Sequence, residues 1–291
     1  MKKKILAIGE IIWDIYPDKQ VIGGAPLNFA AHATLCGAES AILSAVGNDK
    51  LGENALDILA DFGVSAQYVK KNSQPTGQCL VTLDQNAVPS YRVLENVAYD
   101  NIVVTEDDIA RINQENYDAL YFGTLIQRAE VSEKAVQEVV KACSFQEIIC
   151  DVNLRPNCYN EASVAFCLEN ATVLKVSIEE EPILRSFGKY QPSGDRPCDI
   201  AKALCESFKN LKIVIVTLGK EGSYAYDARN EKGYTQCSIG ETVVSTVGAG
   251  DSFAAAWLTS YLDGKPIEVC MKKAAEVSGF VVAHTEAVPK Y

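Results

Sequence analysis

The stretch that decides the fold class is ALYFGTLIQRAEVSEKAVQEVVKACSFQEIICDV, residues 119–152. It begins and ends with short apolar runs, 119–122 and 148–152, and residues 131–142 between them have the spacing of an amphipathic helix. Apolar runs without polar alternation are typical of strands that are covered on both faces. A strand, a helix and a second strand in this order predict a parallel pair joined by a crossover helix.

The same alternation continues along the chain. Further strands are predicted at residues 4–9, 41–46, 173–176 and 213–217, and further helices at 51–62, 200–208, 252–262 and 267–283. The predicted fold class is therefore α/β, a three-layer αβα sandwich in which helices cover both faces of a mostly parallel sheet. Because the 291 residues contain no linker or repeat, we predict one domain, residues 1–291.

One stretch interrupts this alternation. Residues 78–97 carry the β-rich segments QCLVTLD and SYRVLEN on either side of a turn at 86–89, which predicts a hairpin. Because no helix separates the hairpin from residues 64–69, we expect a small antiparallel sheet outside the main one. We assign a lid insertion to about residues 10–30 and 78–100. A dimer surface or a surface decoration is the alternative.

Composition excludes several function classes. The chain has 27 Lys and Arg against 38 Asp and Glu, a net charge of −11, which repels nucleic acid and anionic membranes. Its ten cysteines include no C-x-x-C pair and it has two histidines, which argues against a disulfide scaffold and a structural zinc site. No apolar run has the length of a membrane span or signal segment, so we expect a cytoplasmic protein.

The densest chemical signal is TVGAGD, residues 246–251, followed at once by the helical pattern SFAAAW. Small residues before a helix leave main-chain N–H groups unpaired at its N-terminus, which makes an anion site. Gly248 and Gly250 allow a ligand to approach the main chain closely, and Asp251 falls in the first turn. The alternative is that Asp251 merely caps the helix. Neither a Walker A motif nor G-x-G-x-x-G is present.

A second signal follows the first predicted strand. Asp14 precedes GGAPLNFAA, residues 23–31, which places Asn28 near the start of an alanine-rich helix. A carboxylate accepts hydrogen bonds from hydroxyl groups and an amide both donates and accepts, so the two side chains suit a polyol. Individually, each is also a common turn or cap residue.

Together these stretches resemble the ribokinase-like (PfkB) carbohydrate kinases. The similarity lies in GGAPLNFAAHATLCGAESAILSAVGNDKLG (23–52), DVNLRP (151–156), VTLGKEGSYAY (216–226) and TVGAGDSFAAAW (246–257). Within that family, GGAPLNFAAH and DVNLRP are most similar to fructokinases. The resemblance implies an α/β sandwich with a small β-sheet lid. It also implies phosphoryl transfer from ATP, with Mg²⁺, to a sugar hydroxyl.

The resemblance also implies roles for individual residues. It makes Asp251 the catalytic base and Gly248, Ala249 and Gly250 the anion hole for the transferred phosphoryl group. Sugar binding is implied for Asp14, Gly24, Asn28 and Arg155, with Arg155 near the sugar or the phosphates. A surface salt bridge is the alternative for Arg155. Nucleotide binding is implied for Thr217, Gly219, Gly222 and Lys175, and metal binding for Glu180.

Three positions depart from the family pattern. Ser245 stands where the family usually has Asp, at a position associated with a monovalent-cation site, so potassium activation is in doubt. Ser177 with Glu180 gives S-x-x-E in place of N-x-x-E, and Thr285-Glu286-Ala287 lies where many relatives have a glycine. The change at Ser177 bears on how Mg²⁺ or its water network is held, and the change at 285–287 bears on the edge of the pocket for the purine base.

Fructose is the expected acceptor. The alternatives are a kinase for ribose, a 2-keto-3-deoxy sugar acid or a nucleoside, and a sugar- or nucleotide-binding protein that kept the fold and lost turnover. Retention of the whole GAGD turn argues against the binding protein, whereas Ser177 and Ser245 argue for it. A homodimer formed through the lid is a further hypothesis.

Overall fold

The structure is a computed structural model that describes residues 2–83, 89–240 and 242–291. Its strands are β1 (Lys4–Ile8), β2 (Ile12–Ile15), β3 (Gln20–Gly23), β4 (Glu39–Gly47), β5 (Ser65–Asn72), β6 (Gly77–Leu83), β7 (Pro89–Val93), β8 (Ala119–Gly123), β9 (Glu147–Asp151), β10 (Val173–Ser177), β11 (Ile213–Thr217), β12 (Ser223–Asp227) and β13 (Lys232–Gln236). Its α-helices are α1 (Ala25–Leu35), α2 (Lys50–Asp61), α3 (Glu106–Glu115), α4 (Glu130–Ala142), α5 (Glu161–Asn170), α6 (Glu181–Ser186), α7 (Pro197–Ser207), α8 (Ala249–Leu262) and α9 (Ile267–Val282).

Within the described ranges, nine strands form the main sheet in the order β13-β12-β11-β10-β9-β8-β1-β4-β5. All neighbours from β11 to β5 are parallel, as predicted for β1, β4 and β8 to β11 from their apolar runs. Residues 64–69, which the sequence analysis grouped with the hairpin of the small sheet, instead contribute to β5 at the edge of the main sheet. The hairpin β12–β13 adds an antiparallel edge that the sequence analysis missed. Along β12, buried residues alternate with half-buried ones: Ala225 belongs to one core of the sheet, and Tyr224 and Tyr226 pack against the other.

Two hydrophobic cores lie on opposite faces of the main sheet. Leu6 and Ile8 of β1 face the core that helices α3 to α7 cover, whereas Ile5 and Ala7 face the core under α1, α2, α8 and α9. Successive side chains of a strand point to opposite faces, so one buried strand serves both cores. This arrangement confirms the predicted three-layer αβα sandwich.

A second sheet of four strands, in the order β3-β2-β6-β7, lies outside the main sheet. The predicted hairpin is present as the antiparallel pair β6–β7, but β6 runs parallel to β2, so the sheet is mixed rather than antiparallel. It occupies residues 12–23 and 77–93, a narrower range than the assigned lid, because residue 25 already begins α1. Of the predicted turn at 86–89, only Pro89 lies within the described residues. The indole N–H of Trp13 on β2 donates to the Leu51 carbonyl oxygen of α2 at 3.1 Å, which ties this sheet to the main body.

The parallel strands all end at one edge of the main sheet, where α1 and α8 begin. Ligands bind at such carboxyl ends in open α/β sheets. Glu10 follows β1, Asp151 ends β9 and Thr217 ends β11. The fold therefore brings the predicted site segments to one edge. In the described residues, no helix is both long enough and apolar enough to cross a membrane.

Candidate functional site

The anion turn, residues 248–250, opens α8. Helix α8 starts at Ala249, three residues earlier than predicted, because Gly248 takes the left-handed conformation, φ 79°, and acts as its N-cap. A Cβ atom at Gly248 would lie 2.9 Å from the Ala287 Cα atom and even closer to its carbonyl oxygen. Only glycine therefore fits this position, for reasons of both conformation and space.

The main-chain donors of this turn are available to a ligand. Gly248, Ala249 and Gly250 are all partly exposed. The Ala249 N–H donates to the Thr246 carbonyl oxygen at 3.3 Å, but within the described residues the N–H groups of Gly250 and Asp251 have no acceptor. Two free N–H groups at the positive end of a helix have the chemistry that binds an anion.

Asp251 lies deeper than the turn. Its side chain is 9% exposed, and Oδ2 accepts a hydrogen bond from Nδ2 of Asn28 at 2.8 Å. Burial raises the pKa of the Asp251 carboxyl, while the Asn28 amide and the charge of Lys175 oppose the rise. Oδ1 accepts no hydrogen bond from the described residues, so one carboxylate oxygen remains free for a ligand. The structure thus joins Asp251 and Asn28, which are 223 positions apart in the sequence.

A buried ion pair supports the turn from below. Nζ of Lys175 lies 2.8 Å from Oδ2 of Asp151, and both side chains are almost fully buried. A Cβ atom at Gly250 would lie 3.2 Å from the same Nζ. Burial lowers the pKa of Lys175, but Asp151 more than offsets this, so that the pKa lies above its usual value and the ammonium group stays charged. This places a positive charge under the predicted anion hole.

Arg155 lies close enough to Asp14 and to Asp251 for its charge to act on both carboxyls. Asp14 on β2 is half-buried, and burial raises the pKa of its carboxyl while the positive charge of Arg155 lowers it. The same guanidinium lowers the pKa of Asp251, which places Arg155 near both carboxyls. Arg155 is exposed and, among the described residues, has no ion-pair partner. Its charge is therefore free to meet a ligand.

Glu10 is a residue of this region that the sequence analysis did not select. It is 4% exposed, and its Oε1 accepts a hydrogen bond from the N–H of Ala25, the first residue of α1, at 3.1 Å. The N-cap Gly24 has φ 109°, and a Cβ atom there would lie 3.2 Å from the carbonyl carbon of Glu10. The sequence did hold a signal, because Glu10 is the one charged residue between two apolar runs, 5–9 and 11–13.

The segments predicted to bind the nucleotide lie at the ends of β10 and β11. Thr217 pairs with Ser177 on one side and Ser223 on the other. Gly219 and Gly222 flank a short turn with φ 55° and 108°, and a Cβ atom at Gly222 would lie 2.8 Å from the Cys237 Cα atom. The turn therefore requires glycine at position 222, which does not by itself indicate a ligand.

An exposed apolar patch, missed in the sequence, borders the anion turn. Its members share high exposure and lie before α8 or on α9: Ile239, Val243, Val244, Val247 and Phe280. The N–H of Val244 donates to the Val282 carbonyl oxygen at 2.7 Å, which fixes this segment to the end of α9. Exposed apolar groups beside an anion site suit the base of a nucleotide.

Glu180, the predicted metal ligand, already has two partners. Its Oε1 accepts from the Leu154 N–H at 2.6 Å and its Oε2 from the Ser177 N–H at 2.8 Å. The carboxylate thus ties the ends of β9 and β10 together, although each oxygen keeps a lone pair. In the part of the chain that the structure describes, no group of three or more acidic, Cys or His side chains is arranged to hold a metal.

The segment containing Thr285-Glu286-Ala287 closes the back of the turn. Nε2 of His32 lies 2.8 Å from the Ala287 carbonyl oxygen, and Nδ1 lies 3.0 Å from the hydroxyl of Tyr291. Because a carbonyl oxygen only accepts, Nε2 carries the proton. Burial lowers the pKa of His32, so the ring is neutral and Nδ1 accepts from Tyr291. This contact holds Ala287 against Gly248.

Comparison with known proteins identifies the class. Residues 3–290 match the pfkB family of carbohydrate kinases. The chain therefore belongs to the PfkB family of carbohydrate kinases, which confirms the resemblance seen in the sequence. As a family member it is a phosphotransferase with an alcohol group as acceptor.

Three relatives show the range of the family around this chain. The uncharacterized sugar kinase PH1459 of Pyrococcus horikoshii is 30% identical over 85% of this chain and 75% of its own length. Its crystal structure in complex with ATP has a TM-score of 0.80 and covers 98% of this chain and 94% of that one. The ATP-dependent 6-phosphofructokinase of Thermoanaerobacterium thermosaccharolyticum is 25% identical over 99% of this chain and 90% of its own. Fructokinase-2 of Solanum lycopersicum is 26% identical over 90% of this chain and 83% of its own length.

Proposed function

We propose that this carbohydrate kinase transfers the terminal phosphoryl group of ATP to a hydroxyl group of fructose. One observation carries the proposal: the Asn28–Asp251 hydrogen bond of 2.8 Å lies directly beside a turn whose N–H groups are free. A carboxylate that can take a proton and donors that can hold a phosphoryl group are thus adjacent. These are the two functions that phosphoryl transfer to an alcohol requires.

On the acceptor side, Asp251 takes the proton of the attacking hydroxyl. Asn28 holds Oδ2, which leaves Oδ1 to approach the sugar. Burial raises the pKa of this carboxyl above that of a solvated one and so makes it a stronger base. A positioned general base contributes roughly 10²–10⁴-fold to the rate. Asp14 and the exposed Arg155 then orient the rest of the sugar.

On the donor side, the N–H groups of Gly250 and Asp251 and the ammonium group of Lys175 meet the charge of the transferred phosphoryl group. Fixed donors in a partly closed site need no reorganisation when that charge develops. The exposed apolar patch is suited to the adenine base, and Thr217, Gly219 and Gly222 to the sugar and phosphates of ATP. The relative PH1459 with bound ATP supports this choice of donor. Magnesium, held through the remaining lone pairs of Glu180 and the phosphates, would supply further charge neutralisation.

A second acceptor class is favoured by one specific observation. Arg155 is exposed, has no ion-pair partner among the described residues, and its charge acts on the carboxyls of Asp14 and Asp251. A free guanidinium binds a carboxylate or a phosphate group well. The acceptor would then be an anionic sugar, such as a 2-keto-3-deoxy sugar acid or fructose 6-phosphate. The relative named 6-phosphofructokinase supports this second class.

A nucleoside acceptor would need an accessible aromatic ring on which its base could stack. Phe29 stacks on Tyr121 at 3.8 Å inside the core, and Tyr99 is fully buried, so neither can stack on a nucleoside. Tyr91 on β7 is 54% exposed and is the candidate that remains for such a contact within the described residues of that hairpin. A nucleoside is therefore less favoured than a sugar as the acceptor. Ribose, the other neutral sugar considered, is tested together with fructose.

Coupled ADP release measured across an acceptor panel tests the proposal. The panel contains fructose, ribose, fructose 6-phosphate, 2-keto-3-deoxygluconate and a nucleoside. We expect the highest kcat/KM with fructose, and the Asp251→Asn variant is the control for turnover by this site. If no acceptor exceeds the rate with water, the kinase proposal is wrong and the protein is a binding protein.

Arg155 separates the two acceptor classes. Replacing it by leucine removes a charged hydrogen bond of about 1.5–3 kcal/mol, so KM for an anionic acceptor should rise roughly ten- to hundredfold. With fructose as the natural acceptor, the Arg155→Leu variant should show a smaller change in KM. Arg111→Leu is the matched control, because Arg111 is exposed on α3.

The four-stranded sheet is proposed as a lid and as a dimer surface. Closure over the sugar should protect the amides of β6 and β7 from hydrogen exchange when fructose and a nonhydrolysable ATP analogue are added together. Unchanged exchange there would argue against a lid. Sedimentation of the wild type beside a Tyr91→Glu variant tests the dimer, since a charge at this exposed position should dissociate it.

A further inference from the structure

Glu10 is a buried carboxyl group to which the proposed reaction assigns no task. Its Oε1 accepts a hydrogen bond from the N–H of Ala25 at 3.1 Å. Ala25 is the first residue of α1, and the N-cap Gly24 has no side chain that could cap the helix. Glu10 therefore caps α1 from the end of a neighbouring strand, where a carboxylate also meets the positive end of the helix.

Helix α1 connects this cap to the catalytic base. Asn28 lies in the first turn of α1, is 4% exposed, and donates its amide hydrogen to Asp251 at 2.8 Å. Its own Oδ1 is buried without a partner among the described residues, so no further hydrogen bond fixes the amide. The orientation of the amide therefore depends on where α1 begins. A Cβ atom at Gly24 would lie 3.4 Å from Cγ of Glu10, so the start of the helix is packed directly on Glu10.

We propose that Glu10 is a positioning residue for Asp251. It fixes the start of α1 and thereby the Asn28 amide, and its charge sets how strongly Asp251 attracts a proton. This inference rests on the proposed role of Asp251 as the base.

The charge of Glu10 changes near neutral pH. Burial raises its pKa to about 7, its hydrogen bond from Ala25 lowers it, and the nearby charge of Asp251 raises it further. Ionised Glu10 disfavours a second negative charge and so raises the pKa of Asp251, whereas neutral Glu10 does not. The two carboxyl groups titrate as a coupled pair. The other titratable or charged groups that face Glu10 are Arg155, Tyr99, Tyr121 and, across a small cavity, Asp151.

Two substitutions separate the cap from the charge. Glu10→Gln keeps an oxygen that can accept from Ala25 but cannot ionise, and Glu10→Ala removes the cap altogether. Glu39→Gln is the matched control, because Glu39 is exposed at the start of β4. We would measure kcat and KM for the best acceptor of the panel from about pH 5.5 to about pH 8.5, a range that brackets the ionisation of a carboxyl shifted to near neutrality.

The ratio of wild-type kcat to Gln-variant kcat should be close to one at the low end of this range, where Glu10 is neutral in both proteins. It should rise to about three- to tenfold at the high end, because only the wild type then gains a stronger base. The Ala variant should lose kcat at every pH. A Gln variant that follows the wild-type curve throughout would overturn the inference and leave the proposed function standing.

Infrared titration tests the coupling without turnover. The Glu10 carboxyl band is assigned by subtracting the spectrum of Glu10→Gln, and its midpoint is compared in the wild type and in Asp251→Asn. Because the charge of Asp251 raises the pKa of Glu10 and the interaction is reciprocal, we expect a lower midpoint in the variant; an unchanged midpoint would overturn the inference. If the wild type phosphorylates no acceptor, the proposed function fails, and this titration still decides whether Glu10 sets the ionisation of Asp251.

Discussion

On the side of Asp251 that we propose for the phosphoryl group, the anion turn is one contiguous stretch of chain, held by the packing of Gly248 against Ala287 and supported from below by Lys175. On the side that we propose for the sugar, Asp14, Asn28 and Arg155 come from a strand of the small sheet, a helix and a loop. The first side presents main-chain N–H groups, and the second presents side chains. The two sides meet at one carboxylate.

Under the proposed function, this difference explains how the two substrates would be recognised. A triphosphate end is the same for every sugar kinase that uses ATP, so a rigid main-chain site suits it. The acceptor varies, and a substitution of one side chain changes its site without disturbing the backbone. Changes on the phosphoryl side should therefore affect kcat and stability together, whereas changes on the sugar side should affect the choice of acceptor.

Asp251 belongs to both sides, and its loss should have the largest effect. Asp251→Asn keeps an oxygen that accepts from Asn28 but removes the base, so kcat should fall by roughly 10²–10⁴-fold. The melting temperature should not decrease, because a buried charge is removed and the hydrogen bond is retained. Asp263→Asn, at the exposed C-terminal end of the same helix, is the matched control for steady-state assays. A wild-type kcat in the Asp251→Asn variant would mean that Asp251 is not the base and does not link the two sides of the site.

Lys175 tests whether the phosphoryl side depends on its buried ion pair. Lys175→Met leaves the Asp151 carboxylate buried and unpaired, which should cost about 3–5 kcal/mol of unfolding free energy in urea. Lys272→Met removes an exposed pair with Glu276 and should cost less than about 1 kcal/mol.

A double variant, Lys175→Met with Asp151→Asn, separates stability from catalysis. It removes both charges, so most of the lost stability should return while kcat stays low, since no cation remains under the turn. Recovery of kcat along with stability would show that Lys175 only maintains the fold.

The two left-handed glycines that flank α8 test the role of close packing. Gly248 and Gly264 have φ 79° and 73°, but a Cβ atom would collide with Ala287 at the first and meet no atom within 4 Å at the second. Alanine at either position should cost about 1–2 kcal/mol for its backbone conformation. Gly248→Ala should in addition lower kcat by up to about a hundredfold, because the turn must shift. Equal kcat values in the two variants would mean that the turn does not hold the phosphoryl group.

The parallel strands other than β5, and most helices, could be predicted from the sequence, because burial on both faces of a strand or on one stripe of a helix produces a local hydrophobic pattern. Strand β5 has a largely polar sequence and only one fully buried residue, so it lacks this pattern. The start of α8 could not be predicted, since it depends on the left-handed Gly248 fitting against Ala287. Strand β12 was missed because its buried positions are Ser223, Ala225 and Asp227 rather than large apolar residues.

The candidate site shows the same division. Its residue types could be chosen from motifs, but their contacts depend on how distant elements pack. The Asn28–Asp251 hydrogen bond requires α1 to lie against α8, and the Lys175–Asp151 pair requires the register of β9 and β10. Neither the packing of α1 nor the strand register follows from local sequence. For the same reason, the sequence analysis did not select Glu10, whose role as a cap depends on where α1 begins.

Potassium dependence gives the smallest expected effect and concerns the phosphoryl side alone. Ser245 offers a hydroxyl in place of a carboxylate, and this hydroxyl already accepts from the N–H of Val247 at 3.2 Å. A neutral, occupied oxygen binds a monovalent cation weakly, so exchanging sodium for potassium at constant ionic strength should change kcat by no more than about twofold, or less than half a kcal/mol. Ser245→Asp restores a carboxylate and should increase the response to potassium. A large increase of wild-type kcat with potassium would mean that a bound cation holds the turn in addition to the packing of Gly248 against Ala287. The two sides of Asp251 would then differ only in that one presents main-chain N–H groups and the other side chains.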